Sequence, residues 1–222
     1  MVFFLSAIFS VFSQEIVTAD KYLESVSERY SSIKDYEARV VIRSDSTDMT
    51  GNLSFREPYF LRIDFTEPAE QVLVFNGEVL TVYIPRLRAV LNQAVSPVRR
   101  SSSPAGASLA SAQGLQLLRR GYVPAFVSGP EPVPLDDRNR DLVVKLRLTR
   151  RLASEGFREI ILSITPETRL IRRIEGRTIA DALVRFDFTN IRINLGIPEQ
   201  RFMYDSPASA NLYNNFLFRE SD

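Results

Sequence analysis

The chain opens its readable pattern with a helical stripe. From residue 18 to 34 the apolar residues Ala19, Leu23, Val26, Tyr30 and Ile33 recur at spacings of four, three, four and three, which is one face of an amphipathic helix. Its polar face mixes both signs of charge, which favours a helix covering a core over one lying on a membrane. From residue 36 to about 93 the period changes to two. Ala38, Val40 and Ile42 alternate with Arg39, Val41 and Arg43, and Leu61, Ile63 and Phe65 alternate with Arg62, Asp64 and Thr66, as in strands with one wet face. Asn76-Gly77 stands between two apolar runs, Val72 to Phe75 and Val79 to Tyr83. This predicts a tight hairpin with a type I′ turn, whose two central positions both take positive φ.

Residues 96–141 interrupt the strands with SPVRRSSSPAGAS, a predicted helix near Leu109 to Arg120, and the proline-rich loop GPEPVPLDD. Alternation resumes with Leu142, Val144, Leu146 and Leu148, then Ile160, Leu162 and Ile164, a turn at Pro166, Leu170 to Ile174, Val184-Phe186-Phe188, and Ile191 and Ile193. No repeat period is present. The order is helix, meander, helical insert, meander. Roughly nine to eleven antiparallel strands in one domain must close or curl and be covered, because a flat sheet of that width exposes an apolar face. The expected fold is mainly β (α+β): a strongly curved antiparallel sheet forming an open half-barrel, covered by an N-terminal helix and a helical insert.

Composition narrows the chemistry. There is no Cys and no His, which removes disulfides, thiolate nucleophiles, imidazole bases and the preferred zinc ligands. Neither the Asp136-Asp137 doublet nor any Ser with Lys21, Lys34 or Lys145 forms a recognisable catalytic motif. No enzyme, metal or cofactor is expected. A formal net charge of +1 lacks the basic excess of a nucleic-acid binder, so no nucleic-acid partner is expected. Arginine nonetheless supplies 25 of the 28 basic residues and is paired at Arg99-Arg100, Arg119-Arg120, Arg150-Arg151 and Arg172-Arg173. Such pairs can hold phosphate head groups or an acidic partner, or simply solvate loops and strand ends.

The first thirteen residues, MVFFLSAIFSVFS, are uncharged, apolar and too short to span a bilayer. They read as the apolar region and cleavage site of a secretory signal lacking its basic leader, cut near Ser13. The rest, 14–222, is expected to be a single soluble periplasmic domain; without Cys it has no residue for a lipid anchor.

The stretch GNLSFREPYFLRIDFTEPAEQVLVFNGEVLTVYIP, residues 51–85, places Gly51, Pro58, Pro68, Asn76-Gly77 and Tyr83-x-Pro85 at separations that resemble the signature region of the LolA-type carriers, which ferry lipoproteins from the inner to the outer membrane. The resemblance implies a half-barrel whose apolar cavity takes up acyl chains, fed by an inner-membrane lipoprotein-releasing ABC transporter and emptied at the outer membrane, where an acceptor is an optional partner. It also implies a monomer. By strand alternation Leu53, Phe55, Leu61, Ile63, Phe65, Leu80 and Val82 would share the concave face, with Leu115 and Leu118 facing them from the insert. Residue chemistry alone favours an ordinary closed core; only the resemblance makes these residues a cavity lining. The family commonly has an Arg before the proline matching Pro58, implied to hold the helical lid. Here that position is Glu57, so a latch would have inverted polarity, with Glu57 accepting from Arg119 or Arg120; otherwise Glu57 is a solvated strand end. Two further readings stay open: a periplasmic regulator that senses lipids or lipoproteins, expected to carry a second domain absent from this chain, and a carrier of another lipid.

Overall fold

The computed structural model describes residues 17–45, 47–95 and 110–216. The signal region, the Arg99-Arg100 pair and Leu109 lie outside them. Helix α1 spans Ala19–Ser31. The Thr18 side chain caps it by accepting from the Lys21 amide, and Asp20 in the first turn and Arg29 in the last complement the helix dipole. Six strands follow: β1 Asp35–Ser44, β2 Asp48–Arg56, β3 Phe60–Glu67, β4 Val72–Phe75, β5 Val79–Ile84 and β6 Ala89–Ala94. Helix α2, Ala112–Gly121, is capped by Ser111 accepting from the Gly114 amide. Then come β7 Tyr122–Phe126, β8 Val133–Pro134, β9 Leu142–Arg150, β10 Phe157–Ile164, β11 Ile171–Thr178, β12 Leu183–Ile193 and β13 Asn211–Asn214.

All thirteen strands belong to one open sheet in the order β13-β6-β5-β4-β3-β2-β1-β12-β11-β10-β9-β7, with β8 pairing only to β9. Each meander zips up by local hairpins, and the long-range β1–β12 pairing joins the two. The sheet is not closed into a barrel, and its ends at β13 and β7 do not meet. The expected half-barrel with two covering helices is the observed architecture.

Four details depart from the expectation. The strand count is thirteen, and β13 runs parallel to β6. Strands β7 and β8 lie where only a helix and a loop were expected; Pro124 obscured β7, and it is tolerated because β7 pairs on one side only. At Asn76-Gly77 the strands do form a hairpin, with Phe75 opposite Leu80, but the turn is not type I′. Only Gly77 has positive φ, at 92°, and the Asn76 side chain accepts from the amides of Glu78 and Val79 instead. Finally, Leu142 is exposed and Val143 buried, the reverse of the expected alternation at the start of β9, although both pair with β8.

The register fixes which side chains share a face. One row across the sheet reads Ala38, Leu53, Ile63, Leu73, Val82, Leu91, and the next reads Tyr36, Phe55, Leu61, Phe75, Leu80, Gln93. On the other wing a row runs Phe126, Leu146, Leu162, Ile174, Phe186, Ile42. Both helices pack on this inner face. Tyr22, Leu23, Val26 and Tyr30 of α1 and Leu115 and Leu118 of α2 join the strand residues in one buried cluster.

Candidate functional site: the helix-covered apolar face

Seven of the residues selected from strand and helix alternation, Leu53, Phe55, Leu61, Ile63, Phe65, Leu115 and Leu118, are at most 5% exposed and lie in the central cluster. Leu80 and Val82 share their face by register but are only half-buried. Around them Met49, Leu73 and Phe75 are also half-buried against the core. The inner face therefore has two zones: a dry zone beneath α1 and α2, and an apolar margin on β4 and β5 that is partly open. Leu73 and Phe75 escaped the sequence reading because Val72-Leu73-Val74-Phe75 is apolar throughout and shows no alternation.

The helices are held to the sheet mainly by apolar contact, with a few polar ties. The Tyr30 hydroxyl accepts from the Ile171 amide at 3.0 Å, and the Tyr36 hydroxyl donates to the Ala110 carbonyl at 2.9 Å. Burial pushes both phenols up from their ordinary pKa, so they stay neutral hydrogen-bonding groups. Arg169 stacks over the Tyr22 ring at 4.4 Å, and Tyr22 meets Phe126 edge-on at 5.9 Å.

Glu57 and Arg119 are not brought together. Arg119 Nη2 donates to Glu24 Oε1 of α1 at 2.9 Å, so the polar contact of α2 runs helix to helix, because α1 and α2 pack side by side. Arg120 is exposed, and Glu57 is exposed in the turn after β2, anchored through its backbone amide to the Lys34 carbonyl at 2.8 Å.

The arginine pairs have separate settings. Arg173 is 6% exposed and donates to Asp187 at 2.6 Å, with Asp136 at 2.9 Å, while Arg172 reaches Asp141 at 3.2 Å and Asp187 at 3.6 Å. Asp136 is thus the partner of a buried arginine as well as a turn residue. Hydrogen bonding from Arg173, and then from the Arg138 amide, holds its carboxyl down at about 2. Arg151 donates to the Tyr122 carbonyl and Arg150 to the Ala153 carbonyl. These pairs are spread over the fold, with no common cluster among those described.

The opposite face of the first meander is polar and crossed by the chain after β12. Buried Asp35 accepts from the amides of Leu195, Gly196 and Ile197 at 2.6, 3.0 and 3.3 Å. Arg56 donates to the Ile197 carbonyl, and Arg62 to the carbonyls of Arg201 and Met203. Phe202, 1% exposed, packs on Phe60, and Tyr204 on Tyr83. This strap leads into β13.

The family model for the outer membrane lipoprotein carrier protein LolA matches residues 40–113, about a third of the chain. Over those residues the chain is similar to the LolA family. Its match starts in β1 and runs through the first meander into the insert, and so contains the strand residues of the apolar face. No protein of curated function matches the chain by sequence. Among solved structures it is similar to a conserved protein of Thermus thermophilus, with 11% identity, a TM-score of 0.55, and 86% of this chain and 98% of that one covered. It is similar to the Mycobacterium tuberculosis lipoprotein LppX at 10% identity and TM-score 0.52, covering 81% and 97%. It is also similar to a chain of the Pseudomonas aeruginosa MucA/MucB complex at 16% identity and TM-score 0.52, covering 88% of this chain and 63% of that one. At these identities the likeness is one of fold.

Proposed function

We propose that the chain is an exported, periplasmic, non-enzymatic carrier that shelters the acyl chains of lipoproteins against its inner face. It receives them from an inner-membrane lipoprotein-releasing ABC transporter and gives them up at the outer membrane, as a monomer. The observation that carries this reading is the apolar margin of Leu73, Phe75, Leu80 and Val82, continuous by register with the dry face beneath the helices. A closed core ends at a polar rim, whereas this apolar surface continues from buried into half-exposed apolar side chains.

The energetics favour an exchange. At about 0.8 kcal/mol per buried CH₂, a sixteen-carbon chain left in water costs on the order of 12 kcal/mol and needs an escort. A helix that lifts loses apolar contact with the sheet, and an entering acyl chain replaces that contact with like surface. An ion pair between the helices, Glu24 with Arg119, has side chains 48% and 31% exposed. Such pairs are worth about 0.2–1 kcal/mol, so it biases the helices without locking them.

Native mass spectrometry of the protein purified from its own periplasm tests this. A bound lipoprotein, or a diacyl or triacyl species, is the expected result. Bound phospholipid alone would make it a carrier of another lipid, and a stoichiometric protein partner without lipid would make it a regulator.

A further inference from the structure

The outer face holds a feature that acyl-chain binding does not use. Two adjoining clefts of about 690 Å³ and about 520 Å³ share Glu37, Arg192 and Arg201 and form one trough along β1, β2 and β12 under the strap. Arg62 lines the first cleft and Arg39 the second. Four guanidinium groups therefore face the trough against two nearby carboxylates. Asp64 is shared by Arg62 Nε and Nη2, at 2.9 Å each, and by Arg201. Burial opposes its ionisation, yet the hydrogen bonds from Arg62 and Arg201 keep its carboxyl below the ordinary value. Glu37 accepts from Arg192 at 2.6 Å. Arg39 is exposed and makes no ion pair or hydrogen bond with the described residues. Register explains the convergence: Glu37 pairs with Ser54 and Arg192, and Arg39 with Asn52 and Thr189, so these polar side chains stand together on the face away from the core.

We infer that this trough is a binding site for a phosphate group. Three features select that chemistry. Two positive charges remain after the internal pairs are formed. Arg62 already donates to Asp64 and to the Arg201 and Met203 carbonyls, so the anion meets Arg39 of β1, Arg192 of β12 and Arg201 of the strap, whose approach from three elements suits a tetrahedral anion with several oxygens better than a planar carboxylate. Asn52 and Asn190 add neutral amide donors at the wall, and their lack of charge leaves the positive excess undiminished. The phosphate could belong to a phospholipid head group at a membrane surface or to a small soluble phosphate compound. The site lies on the opposite face from the apolar margin and does not depend on that margin binding lipid.

The test uses the full mature chain. Isothermal titration with inorganic phosphate, and flotation with vesicles of phosphatidylcholine alone or containing phosphatidylglycerol, are run on wild type, Arg39→Gln, Arg192→Gln and, as control, Arg147→Gln, whose arginine pairs with Glu159 on β9 and β10. Wild type is expected to bind at least one probe, with Arg39→Gln weakening it by roughly tenfold or more, as loss of a charge-assisted contact would, and Arg147→Gln unchanged. Binding of phosphate alone identifies a soluble source; binding of phosphatidylglycerol vesicles identifies a head group. No binding of either probe overturns the inference, and so does an equal loss in Arg39→Gln and Arg147→Gln. Displacement of a fluorescent fatty acid should be unaffected by Arg39→Gln, which separates this site from the acyl-chain reading.

Discussion

A carboxylate placed at Leu80 or at Ile63 probes the two zones of the inner face. Ile63 is 1% exposed and sits in the central cluster. Ile63→Glu removes packing worth about 2–5 kcal/mol, as in large-to-small core changes, and strands an unpaired charge that costs several kcal/mol more. That total rivals the whole stability of an ordinary domain, about 5–15 kcal/mol, so this variant should be largely unfolded at 25 °C. Leu80 is half-buried. Full burial of a leucine is worth about 1.5–3 kcal/mol, so Leu80→Glu should forfeit about half, roughly 0.8–1.5 kcal/mol, with its carboxylate still solvated. In a chain of this size a kcal/mol moves Tm by about 2–4 °C, so a drop of about 2–6 °C is expected. A carboxylate at the margin would also deny shelter to two or so methylenes of a bound chain at about 0.8 kcal/mol each, weakening a fatty-acid probe by roughly tenfold. Circular dichroism melts and displacement of a fluorescent fatty acid measure the two effects. A Leu80→Glu protein that unfolds like Ile63→Glu would show the margin to be part of the dry core. One that stays folded and binds the probe at wild-type affinity would refute the margin as part of the site.

Three further outcomes are expected. In a double-mutant cycle of Glu24→Gln with Arg119→Gln, coupling of about 0.2–1 kcal/mol should appear in thermal melts, and Glu57→Gln should couple to neither; coupling of Glu57 with Arg119 would restore a latch between them. The Asp136 carboxyl, held at about 2 in the fold against about 3.9 when unfolded, contributes stability that is fully present above the unfolded value and lost as pH falls through the folded one. The Tm gap between wild type and Asp136→Asn should therefore be constant from pH 7 to 5 and close between about pH 4 and 2; a gap that persists at the lowest pH would discount the Arg173 pairing as its source. Gly51→Ala should destabilise by about 1–3 kcal/mol, because an added Cβ would lie 2.7 Å from the Asp64 carbonyl and 3.0 Å from the Phe65 Cα on the paired strand; an unchanged melt would mean that β2 and β3 separate there freely.

Periodicity by itself determined the sheet, its first helix and the sharing of a face by Leu53, Leu61, Ile63, Leu80 and Val82, since side-chain direction along a strand or helix is local geometry and each hairpin joins chain neighbours. The clash at Gly51 gives a physical reason for a glycine in the stretch from which the LolA resemblance was read. What depended on distant partners was not legible. Whether a face is dry or open depends on where the covering helices end, and the difference between Ile63 and Leu80 exists only once α1 and α2 lie on the sheet. Glu57 and Arg119 were expected to pair because the resemblance puts a lid latch at Glu57 with inverted polarity, but helix packing gave Arg119 to Glu24. Strand β7 carries a proline that local rules count against a strand, and only its edge position admits it. The outer trough is drawn from Arg39, Arg62, Arg192 and Arg201, widely separated in the chain and in no pair or motif. Charge convergence of that kind arises from sheet register and the strap, so it is visible only in the tertiary structure.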